Sequence, residues 1–168
     1  MSTFDSVSRL RLSPAILFGA TAVVGVAAVG IALISQHVFG LEPCPWCVLQ
    51  RAIFLAIALL CLLGALWRHR AVRVLSGALG VLLALAGMAA ALWQHFVAAT
   101  TDSCALSLAD HIVSGLHLDT LWPDVFLAGA GCADAAAHLL GIPFPFWSLA
   151  LFALMGAACV SASVRAAP

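Results

Sequence analysis

The chain reads as an all-α membrane protein. It is expected to be a single integral domain (residues 1–168) built as a four-transmembrane-helix bundle, with a short amphipathic surface helix in its second outer loop. Three observations predict this. Of its 168 residues, 64% are hydrophobic and only 8% are charged, whereas soluble domains average about 45–50% apolar and about 25% charged. Four stretches approach the roughly 20 mostly apolar residues that a helix needs to cross about 30 Å of hydrocarbon. The arginines cluster on one side of those stretches. With seven Arg, no Lys and seven acids, the chain has no excess of cations for nucleic acid. It is also too apolar for a solvated domain or for disorder.

The first span covers about residues 15–36 and follows Arg9, Arg11 and Pro14. Arginines before an apolar run also describe a signal peptide, but that apolar region is about 7–15 residues long and ends at a small-x-small site. Here the run is longer and leads into Gln36-His37-Val38-Phe39, so a retained span is expected. The second span covers about 48–67, interrupted by Gln50 and Arg51, and the third about 74–99, with Gln94 and His95 near its end. The fourth covers about 146–164. Glycines such as Gly19, Gly25, Gly64, Gly80, Gly87 and Gly156 suit close helix packing in a bilayer.

Charge fixes the expected orientation. Arg9 and Arg11 precede span one, Arg68, Arg70 and Arg73 lie between spans two and three, and Arg165 follows span four. The loops at about 37–47 and 100–145 contain no Arg, so both termini and the 68–73 turn are expected to be cytoplasmic. Glu42, Asp102, Asp110, Asp119, Asp124 and Asp134 all fall on the opposite side.

Cys61 and Cys159 lie inside spans and are expected to be small buried hydrophobes. Cys44, Cys47, Cys104 and Cys132 all map to the two outer loops, where disulfides persist. Four cysteines permit three pairings. The spacing makes Cys44–Cys47 plus Cys104–Cys132 the natural one, because a C-x-x-C closes a small, reducible ring. Structural disulfides, a four-cysteine zinc site and a redox relay all compete for this quartet. Zinc sites usually repeat the short spacing in both halves, which this chain does not do, so no metal is expected.

Arg51 favours the relay. It lies four residues after Cys47, one helical turn further into span two and on the same face. A cation there costs on the order of 2.5–3.5 kcal/mol at mid-membrane. Snorkelling to the surface is the plain explanation. The functional one is that it stabilises negative charge on Cys47 or on a membrane-soluble electron acceptor. A quinone suits that role, being apolar, bilayer-borne and able to take the two electrons that a dithiol releases on closing.

These residues resemble the disulfide bond formation protein B (DsbB) family of bacterial inner membranes. The resemblance rests on four spans with both ends inside, Cys44-Pro45-Trp46-Cys47-Val48-Leu49-Gln50-Arg51 opening span two, and Trp93-Gln94-His95 closing span three. Gly131-Cys132-Ala133 and Pro143-Phe144-Pro145-Phe146-Trp147, entering span four, complete it. It implies a quinone-dependent protein-dithiol oxidase with periplasmic cysteines, coupling a DsbA-like periplasmic thiol oxidase to ubiquinone or menaquinone of the membrane pool. A DsbA-like partner would attack Cys104 of Cys104–Cys132, Cys132 would attack Cys44, and Cys47 would be freed as a thiolate facing the quinone. Arg51 would hold that thiolate and the quinone oxygen.

A vitamin-K-epoxide-reductase-like quinone reductase uses similar chemistry, but there the C-x-x-C belongs near the last span. A non-enzymatic membrane scaffold with structural disulfides is the other alternative. His95, at the outer end of span three, is a candidate quinone contact, although a histidine at a wet helix end needs no function. Trp46 reads as an interface anchor. Leu106, Leu108, Ala109, Ile112, Val113 and Leu116 recur at helical spacing, which predicts the amphipathic helix.

Overall fold

The computed structural model describes residues 13–100, 107–133, 138–139 and 141–166. Arg9, Arg11, Asp102, Cys104, Leu106 and Asp134 lie outside the described residues. Four helices are long and apolar enough to cross a membrane.

The first, α1 (Pro14–Phe39), starts where the Ser13 hydroxyl accepts the Ile16 N–H at 3.3 Å, with Pro14 in the first turn. It ends at Gly40, whose φ of 66° is the left-handed conformation that a glycine takes without a Cβ clash. Helix α2 (Pro45–Leu66) has Cys44 as its N-cap and Pro45 in its first turn. Arg73 Nε donates to the carbonyls of Gly64 and Trp67, both at 3.2 Å, and so closes the turn from α2 into α3 (Arg70–Phe96). A short 3-10 turn, Ala98–Thr100, follows.

The second long loop carries α4 (Leu108–Gly115), α5 (Leu118–Leu121), α6 (Pro123–Phe126) and a small hairpin of β1 (His138–Leu139) and β2 (Ile142–Pro143). The last span is α7 (Phe144–Ala166). The hairpin, α5 and α6 were not foreseen, because two to four residues are too few to show a period.

Helix α4 forms where the sequence expects its amphipathic helix. A reciprocal cap starts it, with Ser107 Oγ accepting the Asp110 N–H and Asp110 Oδ2 accepting the Ser107 N–H at 3.0 Å. Its apolar residues divide between two faces. Ala109 and Val113 are buried against the start of α2, whereas Leu108, Ile112 and Leu116 are exposed.

The long helices outrun, at one end or both, the apolar stretches that announced them, although α2 stops at Leu66 and α3 at Phe96, short of the expected 67 and 99. Helix α1 continues through Gln36 and His37, α2 begins at Pro45 instead of about 48, and α3 begins at Arg70 instead of about 74. Hydropathy reports the part that suits lipid and is blind to polar turns buried by neighbours. The extension matters most in α2, where it brings the whole C-x-x-C into the first turn.

The four long helices form a ring in which α1 packs on α2, α2 on α3, α3 on α7 and α7 on α1. Phe18, Ile57, Phe152 and Met155 are buried at its centre, while Val23, Leu82 and Leu154 face outward, as a lipid-facing surface requires. Phe54 and Phe152 stack across the bundle with centroids 4.0 Å apart and planes within 5°. This stack needs Gly87, because a Cβ there would lie 2.5 Å from the Phe152 ring.

Gly87→Ala should therefore destabilise the bundle by about 1–3 kcal/mol, the usual penalty for overpacking a core. Gly19→Ala, where a Cβ would meet nothing within 4 Å, should be neutral or slightly stabilising. Detergent-denaturation midpoints of the two variants check the contrast, and equal midpoints would contradict it.

Candidate functional site

The site is built on the first turn of α2. Cys44 is the N-cap, and its sulfur accepts the Cys47 N–H at 3.4 Å, the job usually done by a serine or aspartate oxygen. The same geometry brings the two sulfurs to 3.0 Å of each other. Cys44 is fully buried, whereas Cys47 is partly open.

The second long loop is fastened over this turn. The Pro43 carbonyl accepts the N–H groups of Gly129 and Ala130 at 3.0 and 3.4 Å. Ala109, Val113 and Phe126 pack with Cys44, Trp46 and Val48 in one apolar cluster, and Cys132 lies against it. Trp46 is thus 8% exposed and stands under the loop, 6.4 Å from the Trp93 ring. That corrects the expectation of an interface anchor: its neighbours in the C-x-x-C are themselves capped by α4.

Three sulfurs therefore share one cluster. The neighbouring Cys44 thiol holds the Cys132 thiol below the ordinary range against the opposing effect of burial. Cys44 is pushed the other way by the Cys132 and Cys47 sulfurs beside it, and then by burial. Cys44 is the sulfur that keeps its proton, and Cys132 is the one that readily gives its proton up. Cys104, assigned by sequence to pair with Cys132, lies outside the described residues.

Arg51 does not snorkel to the surface. It is 6% exposed, and its Nη1 donates to Gln36 Oε1 at 2.7 Å and to the Val125 carbonyl at 2.9 Å. These bonds tie α2 to α1 and to α6. Next to it, Gln50 Nε2 donates to Gln94 Oε1 at 2.6 Å, and Gln94 Nε2 donates to Cys47 Sγ at 3.1 Å. In the sequence, Gln36 follows the first apolar run, and Gln50 and Gln94 lie within the motifs that carry the family resemblance, but none of the three has an assigned role there. Their polarity was already the signal, because a polar group inside a span needs a partner or a function.

A cavity of about 230 Å³ opens beside Cys47, between α1, α2 and the start of α7. Its polar wall includes Cys47, Gln50, Arg51 and Gln94, its apolar wall includes Val29, Phe54, Phe144 and Leu151, and Glu42 stands among the lining residues. Ile31 and Trp147, both exposed, also line it, so it reaches the lipid-facing surface between α1 and α7. His95 is not among the lining residues. Its ring packs against Phe96 and Phe146 at 4.9 and 4.7 Å, and its neighbour Gln94 faces the cavity instead.

Cys61 and Cys159 are fully buried in the central core with their sulfurs 3.5 Å apart, as expected of small hydrophobes. Fourteen residues of helix separate Cys61 from Cys47, about 21 Å along α2.

The family model for disulfide bond formation protein DsbB matches residues 14–162. The chain is 37% identical to disulfide bond formation protein B 1 of Pseudomonas savastanoi over 135 residues, 79% of each chain. It is 35% identical to disulfide bond formation protein B of Ralstonia nicotianae over 145 residues, covering 86% of this chain and 90% of that one. The Stutzerimonas stutzeri protein of the same name is 31% identical over 152 residues, with 88% and 93% covered. A four-helix membrane bundle with sulfurs gathered at one helix start, matched over nearly its whole length, places this chain in the DsbB family of disulfide bond formation proteins.

Proposed function

We propose that the protein is a thiol:quinone oxidoreductase of the bacterial inner membrane, which reoxidises a DsbA-like periplasmic protein and passes two electrons to a quinone. The observation that carries this reading is the cavity beside Cys47. It is apolar on one wall, reaches the lipid-facing surface, and meets the sulfur cluster on its polar wall. Its volume lies a little below the roughly 300–1,000 Å³ of drug-sized ligand pockets, which suits a ring headgroup whose tail stays in lipid. Cys47 and Arg51 are the residues that would hold such a group. When bound, a quinone supplies a two-electron sink that accepts what a closing dithiol releases. The arginine distribution supports an orientation with the cysteines on the periplasmic side.

The chain's own steps are thiolate exchanges. A thiolate of the reduced partner attacks Cys104 of the Cys104–Cys132 disulfide, forming a mixed disulfide and releasing Cys132 as a thiolate. Cys132 attacks Cys44, so the Cys44–Cys47 bond breaks, a Cys44–Cys132 bond forms, and the electron pair stays on Cys47. The partner's second thiol resolves the mixed disulfide and frees Cys104. Cys104 then recovers Cys132, and the displaced Cys44 re-forms its bond to Cys47 as two electrons leave.

Cys132 packs against the apolar cluster that contains Cys44, which supports the middle step. The attacking sulfur must be ionised, and the partner's attack on Cys104 releases Cys132 as a thiolate. The clamp from Gly129 and Ala130 to Pro43 holds the loop at that meeting point.

Purified protein mixed with reduced partner and a ubiquinone analogue should bleach the quinone absorbance, and Cys47→Ser should abolish the bleaching. Unchanged turnover in that variant would overturn the reading. Cys104→Ser should block oxidation of the partner while quinone still restores the Cys44–Cys47 disulfide, as mass spectrometry of the alkylated protein would report.

In the fully reduced protein, a depressed Cys132 thiol remains ionised below the usual thiol range of about 8.5, and a raised Cys44 thiol does not. Alkylation near about pH 7 should therefore label Cys132 ahead of Cys44. Preferential labelling of Cys44 would contradict that assignment.

A further inference from the structure

We propose that Gln94, oriented by Gln50, is a catalytic residue that donates a hydrogen bond to the Cys47 sulfur when the Cys44–Cys47 bond breaks. This rests on the oxidase reading above. Gln94 Nε2 is 3.1 Å from Cys47 Sγ, and no other side-chain nitrogen among the described residues is seen to donate to that sulfur. Arg51 lies on the same cavity wall, but its Nη1 is engaged by Gln36 and Val125. The arginine acts on Cys47 through charge, and the amide acts through contact.

The redox cycle fixes which end of the amide must face the sulfur. Cys47 alternates between a disulfide and a thiolate, and neither form has a proton to give. A carbonyl oxygen turned toward it would meet only lone pairs, so the amide must present its N–H. Gln50 enforces that orientation by donating to Gln94 Oε1 at 2.6 Å. Both amides are buried, at 3% and 5% exposed. An amide pair that served only to join α2 and α3 would be complete with the Gln50–Gln94 bond, whereas here a further N–H is directed at the reacting atom.

The step balances without a proton. Cys132 Sγ bonds to Cys44 Sγ, the Cys44–Cys47 bond breaks, and its electron pair remains on Cys47, where the Gln94 N–H receives the new charge. Donors already aimed at developing charge lower a barrier because nothing must reorganise.

The test uses the full-length protein carrying Cys44→Ser, Cys104→Ser and Cys132→Ser, so that Cys47 is the cysteine facing the cavity. Cys61 and Cys159 are fully buried. N-ethylmaleimide labelling is timed at one fixed pH with no quinone present. Gln94→Met should slow labelling by about tenfold or more, the scale of losing a hydrogen bond to a charged group.

Gln94→Glu should slow it further, because a carboxylate repels the thiolate, and Gln50→Met should fall between Gln94→Met and the parent. A packing role alone would not produce that order, since Met and Glu are close to Gln in length. Near-UV circular dichroism of the Trp46–Trp93 pair verifies that each variant is folded. Equal rates in the folded parent and Gln94→Met would overturn the assignment. If the labelling order holds while the all-cysteine protein fails to reduce quinone, the amide's bond to sulfur stands and the oxidase reading falls.

Discussion

A polar group carried into the apolar interior of a membrane bundle finds no water to replace a missing hydrogen bond, and the Cys47 end of this protein is organised around that constraint. Arg51 is met by Gln36 and the Val125 carbonyl, Gln50 by Gln94, and Gln94 by Cys47. Every one of these bonds joins α2 to another element. Interhelical bonds in membranes contribute only about 0.6–2 kcal/mol each, so they add little to overall cohesion. What they do is fix register: once the polar groups are matched, α1, α3 and α6 have one allowed position relative to the first turn of α2.

That first turn combines two demands in one geometry. A helix start needs an acceptor at the N-cap for the N–H three residues on. A C-x-x-C needs its sulfurs within bonding reach. Cys44 meets both, because the sulfur that caps the Cys47 N–H is the sulfur that faces Cys47 Sγ. Pro45 pre-sets the backbone at a position whose N–H would be unbonded anyway. The positive end of α2 then lies beside both sulfurs, where negative charge is favoured.

The fold was legible because lipid imposes a simple rule: long apolar runs become spanning helices, and four such runs closed by Gly, Pro and Arg are hard to read otherwise. The cysteines and Arg51 stood out for the same reason, as exceptions to that rule. Partnership was not legible. Gln94 and His95 are adjacent at the end of the third span, and hydropathy does not say which one faces inward. Histidine invites a functional reading by its chemistry, yet the helix phase turns it toward Phe96 and Phe146 and gives the sulfur to the amide. Trp46 shows the same limit. Its fate depends on α4, which lies more than sixty residues away and whose packing no local pattern announces.

Beneath the polar layer, the Phe54–Phe152 stack divides the bundle. Phe54 and Leu151 line the cavity, while Phe152 packs behind them into the pocket that Gly87 leaves open. The depth of the cavity is therefore set by residues with no chemistry of their own. The same stack separates two populations of cysteine. Thiol–disulfide exchange requires one sulfur to reach another, and Cys61, about 21 Å below Cys47 along α2, touches only Cys159 among the sulfurs of the described residues. Cys44, Cys47 and Cys132 sit above the floor, and Cys47 among them faces the cavity and its polar wall. Cys61 and Cys159 sit below it, where a thiolate would have neither water nor a cation to support it. Identical side chains thus meet different surroundings, a closed apolar core or a polar-walled cavity, according to which side of one aromatic layer they occupy.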